Sequence, residues 1–175
     1  LHEARLGADH YPGAVHVFSA AYSEADLRDV LPLSDHVIFN SPGQWRRFRA
    51  LCEHQARPGQ RFGLRVNPEH SEGAVPLYDP CAPGSRLGTP RDSLRREDME
   101  GLTGLHFHTL CEQQLPPLAR TLAAFERRFE DLLPGIEWLN LGGGHHITAP
   151  GYDVEGLFMK NWDEEPPNID RLPNE

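Results

Sequence analysis

The sequence contains few residues of the types that most often act as amine nucleophiles or sulfur ligands. Its 175 residues include one lysine, Lys160, and three cysteines, Cys52, Cys81 and Cys111. An odd number of widely spaced cysteines argues against a disulfide framework or a cysteine zinc site, and it makes a reducing cytoplasm the expected location. The other sixteen basic residues are arginines. A mechanism that needs a lysine therefore has almost none to use.

Long apolar runs and an excess of positive charge are also missing. No apolar run approaches the roughly 20 residues that a membrane-spanning helix needs, so no membrane partner is expected. The formal net charge is -9 at pH 7. Because nucleic-acid phosphates attract basic surfaces, this charge argues against a nucleic-acid partner and fits a small cationic substrate.

Strand and helix patterns alternate along the chain. Strands are predicted at 15–20, 36–40, 62–67, 102–108 and 136–141, and helices at 24–31, 42–55, 93–100 and 112–133. Ser23 and Ser41 are suitable N-caps, and a loop rich in proline and glycine covers 68–90. Alternation of this kind predicts a parallel α/β sheet, either doubly wound or part of a (β/α) barrel. In both architectures the loops that follow the strands carry the chemistry.

The predicted fifth strand ends in three glycines, Gly142, Gly143 and Gly144. Glycine allows positive φ and close approach of a ligand, and successive N–H groups in such a turn can bind an anion. We expect a phosphate-binding turn here, with positive φ at Gly143 in particular. A turn that needs positive φ for purely structural reasons is the alternative.

Two histidines, His106 and His108, alternate along the predicted fourth strand and therefore share one face of it. A pair of this kind is often structural, but two chemical interpretations remain open. Together with His145 and His146 the pair could bind zinc. Alternatively, one imidazole lies flat against an aromatic cofactor whose phosphate occupies the glycine turn.

Two further side chains lie near these motifs. Arg65, at the end of the third strand, could hold an anionic group, although a surface salt bridge is an equally common role for arginine. Cys111 follows the histidine strand without an obvious partner base, so we predict a small buried residue there.

Three segments, 78–88, 104–112 and 140–148, resemble the fold-type III decarboxylases that use pyridoxal 5′-phosphate, and among them the carboxynorspermidine (carboxyspermidine) decarboxylases. The Thr-Leu-Cys-Glu of the second segment and the Gly-Gly-Gly-His-His-Ile-Thr of the third differ from the corresponding motifs of ornithine and diaminopimelate decarboxylases. The resemblance covers residues 1–157. It fails over 158–175, which we expect to be a disordered tail or the product of a shifted reading frame.

The resemblance implies a fold and a site. The strands would be the third to seventh of an eight-stranded TIM-type barrel, without the family's C-terminal β-domain. His108 would stack on the pyridine ring, Gly142, Gly143 and Gly144 would bind the phosphate, and Arg65 would line the cofactor pocket. The implied reaction is decarboxylation of a cationic polyamine substrate in a cytoplasmic homodimer, with the cofactor as electron sink.

The family's cofactor forms a Schiff base with a lysine of the first barrel strand, which these residues do not include. We therefore assign no catalytic residue and expect a central fragment that is inactive alone. A metal-dependent hydrolase that uses the four histidines, or a non-catalytic barrel remnant that binds phosphate, are the alternatives. In the cofactor interpretation His106 has no direct role, so its replacement is expected to matter least.

Overall fold

The computed structural model describes residues 1–144 and 150–151, and in these ranges parallel strands alternate with helices. The strands are β1 (His16–Ser19), β2 (His36–Phe39), β3 (Arg61–Asn67), β4 (Thr89–Pro90), β5 (Gly104–His106) and β6 (Trp138–Asn140). The α-helices are α1 (His2–His10), α2 (Glu24–Val30), α3 (Pro42–Gln55) and α4 (Leu115–Phe129). The α/β class is confirmed. No helix of the described ranges is long and apolar enough to cross a membrane.

The strand order identifies the sheet as the wall of a barrel. The order is β1-β2-β3-β5-β6, every pair is parallel, and β4 pairs with the last two residues of β3. A doubly wound sheet reverses its strand order, whereas here spatial neighbours follow one another along the chain. Asn140 Nδ2 lies 3.1 Å from His16 Nδ1, although these residues belong to opposite edges of the sheet. In a flat sheet four spacings would separate them by roughly 19 Å, so the sheet is strongly curled.

Local capping signals set the starts of two helices as the sequence predicts. Ser23 and Asp26 form a reciprocal capping box at the start of α2. At the start of α3, Ser41 Oγ accepts from the N–H of Gln44, and Pro42 occupies the first turn, where its missing N–H costs no hydrogen bond.

The predicted helix at 93–100 is wrong. The segment forms two 3₁₀ turns, Arg91–Ser93 and Arg96–Met99, because Leu94 between them is extended and buried in the core. The helix predicted from residue 112 begins only at Leu115, since Glu112 has a φ of 51° that no α-helix permits. The short strand β4 within the proline-rich loop was not predicted.

The convex face of the sheet carries the hydrophobic core. Its apolar side chains pack against the helices that follow the strands, and they include Val37, Phe39, Leu64, Val66, Leu105 and Phe107. In α4 the buried residues Leu118, Leu122, Phe125 and Phe129 recur every three or four positions and so form one face.

The concave face is aromatic and polar. The imidazoles of His16 and His36 stack with their ring centroids 4.0 Å apart. The Trp138 ring packs edge to face against both, with centroid distances of 5.3 Å to His16 and 4.7 Å to His36. Trp138 lies across Gly63 and Gly104, where any Cβ would overlap its ring. The indole therefore fits on the concave face because the positions beneath it, Gly63 and Gly104, have no side chain.

We predict that Gly104→Ala destabilises the protein by about 1–3 kcal/mol, the usual cost of overpacking, because its methyl group would overlap the Trp138 ring. Urea unfolding measures the change. Gly135→Ala is the matched control, since a Cβ there has no neighbour within 4 Å among residues 1–144 and 150–151. Equal effects of the two substitutions would contradict this packing account.

Candidate functional site

Three neighbouring strands bring the predicted site residues to one end of the curled sheet. Arg65, His106 and Asn140 are adjacent in the register of β3, β5 and β6. His108 and the glycine turn follow directly after β5 and β6. Because the strands are parallel, all of these residues lie at their carboxyl ends, where α/β barrels hold their chemistry.

His108 contacts both of its predicted neighbours. Its Nδ1 accepts a hydrogen bond of 3.1 Å from the N–H of Gly143. Its backbone oxygen accepts one of 3.2 Å from Arg65 Nη2. Since Nδ1 accepts, a neutral His108 carries its proton on Nε2. The imidazole is thus tied to the glycine turn in one tautomer.

The turn uses positive φ at its first and third glycines. Gly142 has a φ of 75° and Gly144 a φ of 90°. A Cβ at Gly142 would lie 2.7 Å from the oxygen of Phe107 and 2.8 Å from His108 Nδ1. The prediction of positive φ at Gly143 is wrong: the positive φ is at Gly142, whose N–H donates to Asn140 Oδ1. Among the described residues, a Cβ at Gly143 would meet His108 alone, at 3.9 Å.

Arg65 is a buried cation. It is only 5% exposed, and its guanidinium carbon lies 4.6 Å from the centroid of the Phe18 ring. Burial lowers the pKa of Arg65. No carboxylate within residues 1–144 forms an ion pair with it, so the surface salt-bridge alternative is wrong. A buried guanidinium with donors to spare is suited to an anionic ligand.

His106, the neighbour of Arg65 in the register of β3 and β5, is also buried, with 6% exposure. Its Nδ1 is 3.0 Å from the backbone oxygen of Asn140 and 3.1 Å from Asn140 Oδ1. Burial lowers the pKa of His106 to about 4, so the ring is neutral at pH 7. Sequence reasoning did not single out Asn140 as a site residue. An asparagine two residues before a glycine turn is nevertheless a common signal for a side chain that bonds to the turn's backbone.

The loop 68–90 lies over the same end of the sheet. Asn40, after β2, accepts from the N–H of Gly88 and donates to the oxygen of Arg86, at 2.9 and 2.8 Å. Glu72 binds Arg120 of α4 through two hydrogen bonds of 2.7 Å. An open groove of about 970 Å³ lies between Asn40 and residues 76–87 of the loop. The loop is thereby fastened to the end of β2 and to α4.

Other predicted residues are less central. Cys111 is exposed, so the prediction of a buried residue is wrong; it lies in a bend beside Glu112, whose φ is positive. His145 and His146 lie outside the described residues. Within those residues no three His, Cys, Asp or Glu side chains are grouped to hold a metal ion. The Nδ1 atoms of His106 and His108 are both engaged by backbone groups.

No family model matches the chain, but individual proteins do. It is 44% identical over 155 residues to the carboxyaminopropylagmatine decarboxylase of Synechocystis, which covers 89% of this chain and 39% of that protein. It is 35% identical over 167 residues to the carboxynorspermidine/carboxyspermidine decarboxylase of Campylobacter jejuni, covering 94% of the chain and 42% of the relative. The chain thus spans about two fifths of the length of the curated relatives it matches.

Solved structures match over the same region. The crystal structure of Campylobacter jejuni carboxynorspermidine decarboxylase, complexed with norspermidine, superposes with a TM-score of 0.72 at 34% identity and covers 90% of this chain and 39% of that one. A diaminopimelate decarboxylase, at 20% identity and a TM-score of 0.58, covers 78% of this chain and 33% of its own, and it shows the fold alone. The resemblance to carboxynorspermidine decarboxylases is confirmed.

We predict that Gly142→Ala destabilises the protein and that Gly143→Ala does not. An alanine at positive φ costs about 1–2 kcal/mol, before the clash with Phe107 and His108 is added. Urea unfolding of the two variants provides the comparison. If Gly143→Ala proved as harmful as Gly142→Ala, the described backbone of the turn would be incorrect.

The neutral His106 predicts a pH dependence of stability. Between pH 6.5 and about 4 the unfolded chain binds a proton at this ring and the folded chain does not. The stability that the neutral ring contributes is therefore complete above pH 6.5 and is lost as the pH falls toward 4. We expect His106→Asn to reduce the slope of unfolding free energy against pH in this window by up to about 1.4 kcal/mol per pH unit. An unchanged slope would show that the ring titrates normally.

Proposed function

We propose that the chain is part of the cofactor-binding barrel of a pyridoxal-phosphate-dependent carboxy-lyase that acts on a carboxylated polyamine. The observation that supports this most strongly is the hydrogen bond from the Gly143 N–H to His108 Nδ1, 3.1 Å long. It joins the residue proposed to stack on the cofactor ring to the turn proposed to bind its phosphate. The chain that carries this contact is 35–44% identical to decarboxylases of carboxylated polyamines.

The described residues fit a phosphate-bearing aromatic ring. His108 offers an imidazole held in one tautomer beside the turn. Gly142 and Gly144 have no side chain that would obstruct an anion, and Arg65 is a buried cation without a carboxylate partner in the described ranges. We propose that His108 packs against the pyridine ring, that Gly142, Gly143 and Gly144 bind the phosphate, and that Arg65 holds an anionic group at the same end.

This fit assigns different tasks to the cofactor and to the protein residues. When bound, pyridoxal phosphate supplies the electron sink that allows an amino-acid centre to lose carbon dioxide. The protein residues would orient it: His108 and the turn would fix the ring and its phosphate, and the loop 68–90, which is tied to Asn40 and to Arg120, would lie over the same end of the sheet. Lys160 lies outside the described residues, and no described residue supplies an amine that could join the cofactor.

The proposed substrate is a polyamine whose one end is an amino acid. The names of the relatives specify carboxyaminopropylagmatine, carboxynorspermidine and carboxyspermidine as their substrates. These share a cationic chain with a carboxylated terminus, and the net charge of -9 favours such a cation.

We propose further that residues 1–157 contribute the third to seventh strands of an eight-stranded barrel and that the complete enzyme is a cytoplasmic homodimer. The resemblance carries this part of the proposal, and the chain-ordered parallel sheet supports it.

Variants of His108 in an intact enzyme test the proposal. Residues 1–157 are grafted in place of the matching segment of the Campylobacter jejuni relative, and decarboxylation and retention of pyridoxal phosphate are measured. We expect the graft to be active. His108→Ala should weaken cofactor retention by about tenfold, the value of one stacked aromatic contact.

His108→Phe is the matched control, since it keeps an aromatic face but cannot accept from Gly143. It should retain the cofactor better than His108→Ala does. A graft that binds stoichiometric zinc, and whose turnover is indifferent to pyridoxal phosphate, would instead favour the metal-dependent hydrolase and refute the cofactor site.

A further inference from the structure

We propose that His106 and Asn140 form a positioning pair that fixes the glycine turn in the shape that binds an anion. In so far as the anion is a phosphate of the cofactor, this rests on the proposed function. Neither residue need touch the ligand. Both act through the backbone of Gly142, which separates their role from that of His108.

The orientation of the Asn140 amide follows from its partners. The N–H of Gly142 can only donate, and it lies 2.8 Å from Asn140 Oδ1. The oxygen therefore faces the turn, and Nδ2 faces His16 Nδ1 at 3.1 Å, where the imidazole must accept. Both polar ends of the side chain are thus engaged, one with the turn and the other with the far edge of the sheet.

His106 holds Asn140 in this orientation. His106 Nδ1 lies 3.0 Å from the backbone oxygen of Asn140. Because that oxygen can only accept, Nδ1 carries the proton of this hydrogen bond. The same Nδ1 lies 3.1 Å from Asn140 Oδ1, so its proton is shared between the two oxygens of Asn140. The N–H of Phe107 donates to that backbone oxygen as well, at 3.1 Å. One imidazole therefore bridges the main chain and the side chain of Asn140.

The contacts between His106 and Asn140 determine the direction of the amide groups in the glycine turn. The bond from Gly142 N–H to Asn140 Oδ1 closes a turn over two residues, and Gly142 adopts a φ of 75° within it. The next amide, that of Gly143, is thereby directed to His108 Nδ1. If the His106 donor is removed, Asn140 Oδ1 loses one of its two donors and the side chain is freer to rotate. The Gly143–His108 contact then loses its support.

This assigns His106 more importance than the cofactor interpretation of the sequence gave it. Although buried below the turn, it should influence anion binding nearly as much as the residues proposed to touch the anion. An ordinary core histidine would affect stability alone.

Two substitutions at one position separate these roles. His106→Leu fills the site without a donor, whereas the Nδ2 of His106→Asn can occupy the place of the Nδ1 donor. Leu105→Val is the control for lost packing, because Leu105 is fully buried on the opposite, convex face of β5. The measurements are the amide ¹H–¹⁵N resonances of Gly142 and Gly143 and the calorimetric affinity for inorganic phosphate and for pyridoxal phosphate.

We expect His106→Leu to shift both glycine resonances and to weaken both affinities by about tenfold, the factor that loss of one hydrogen bond commonly produces. His106→Asn should bind within about threefold of the native protein, and Leu105→Val should lower the melting temperature without shifting either resonance.

The proposal is overturned if His106→Leu lowers the melting temperature as Leu105→Val does but leaves the glycine resonances and the affinities at native values. Its failure is distinguishable from failure of the proposed function. If the native protein binds neither phosphate nor pyridoxal phosphate, the proposed function fails, while the Gly142 and Gly143 resonances of His106→Leu still support the pair by shifting or refute it by staying unchanged.

Discussion

The curl of the parallel sheet is the constraint on which the rest of the structure depends. Its convex face is apolar and is covered by helices, so the concave face is left for aromatic and polar side chains. Trp138 lies across Gly63 and Gly104 on that face, and side chains at these positions would exclude it. The curl brings the Asn140 side chain of β6 within hydrogen-bonding distance of the His16 side chain of β1. The candidate site is built at the carboxyl ends of the strands that this curvature gathers.

Within the site, burial sets the charges. Arg65 remains a cation and donates a hydrogen bond to the backbone oxygen of His108, whereas His106 is neutral at pH 7 because burial lowers its pKa to about 4. A neutral ring can direct its single Nδ1 proton to Asn140 without adding a second positive charge beside Arg65. The group as a whole therefore presents one buried cation and a turn free of side chains, which suits a single anionic ligand better than a metal ion.

Features that depend on neighbours in sequence could be predicted, and those that depend on distant partners could not. The caps at Ser23 and Ser41 and the presence of the five predicted strands follow from local patterns, and the structure confirms them. The strand predicted at 102–108 is shorter, Gly104–His106, so His108 lies after the strand rather than on it. The prediction of a helix at 93–100 is wrong because Leu94 is buried in the core in an extended conformation. The role of Asn140 depends on His106, 34 residues away. The positive φ lies at Gly142, whose N–H donates to the Asn140 side chain, and not at Gly143.

The central claim is that His108 and the glycine turn form a cofactor site. Titration of the isotopically labelled protein with pyridoxal phosphate, pyridoxal, inorganic phosphate and zinc, followed by ¹H–¹⁵N spectra, tests it most directly. The account predicts that pyridoxal phosphate shifts the resonances of His108, Gly142 and Gly143, that inorganic phosphate competes for the turn alone, and that pyridoxal without its phosphate binds more weakly. Shifts of His106 and His108 with zinc, and none with pyridoxal phosphate, would contradict it.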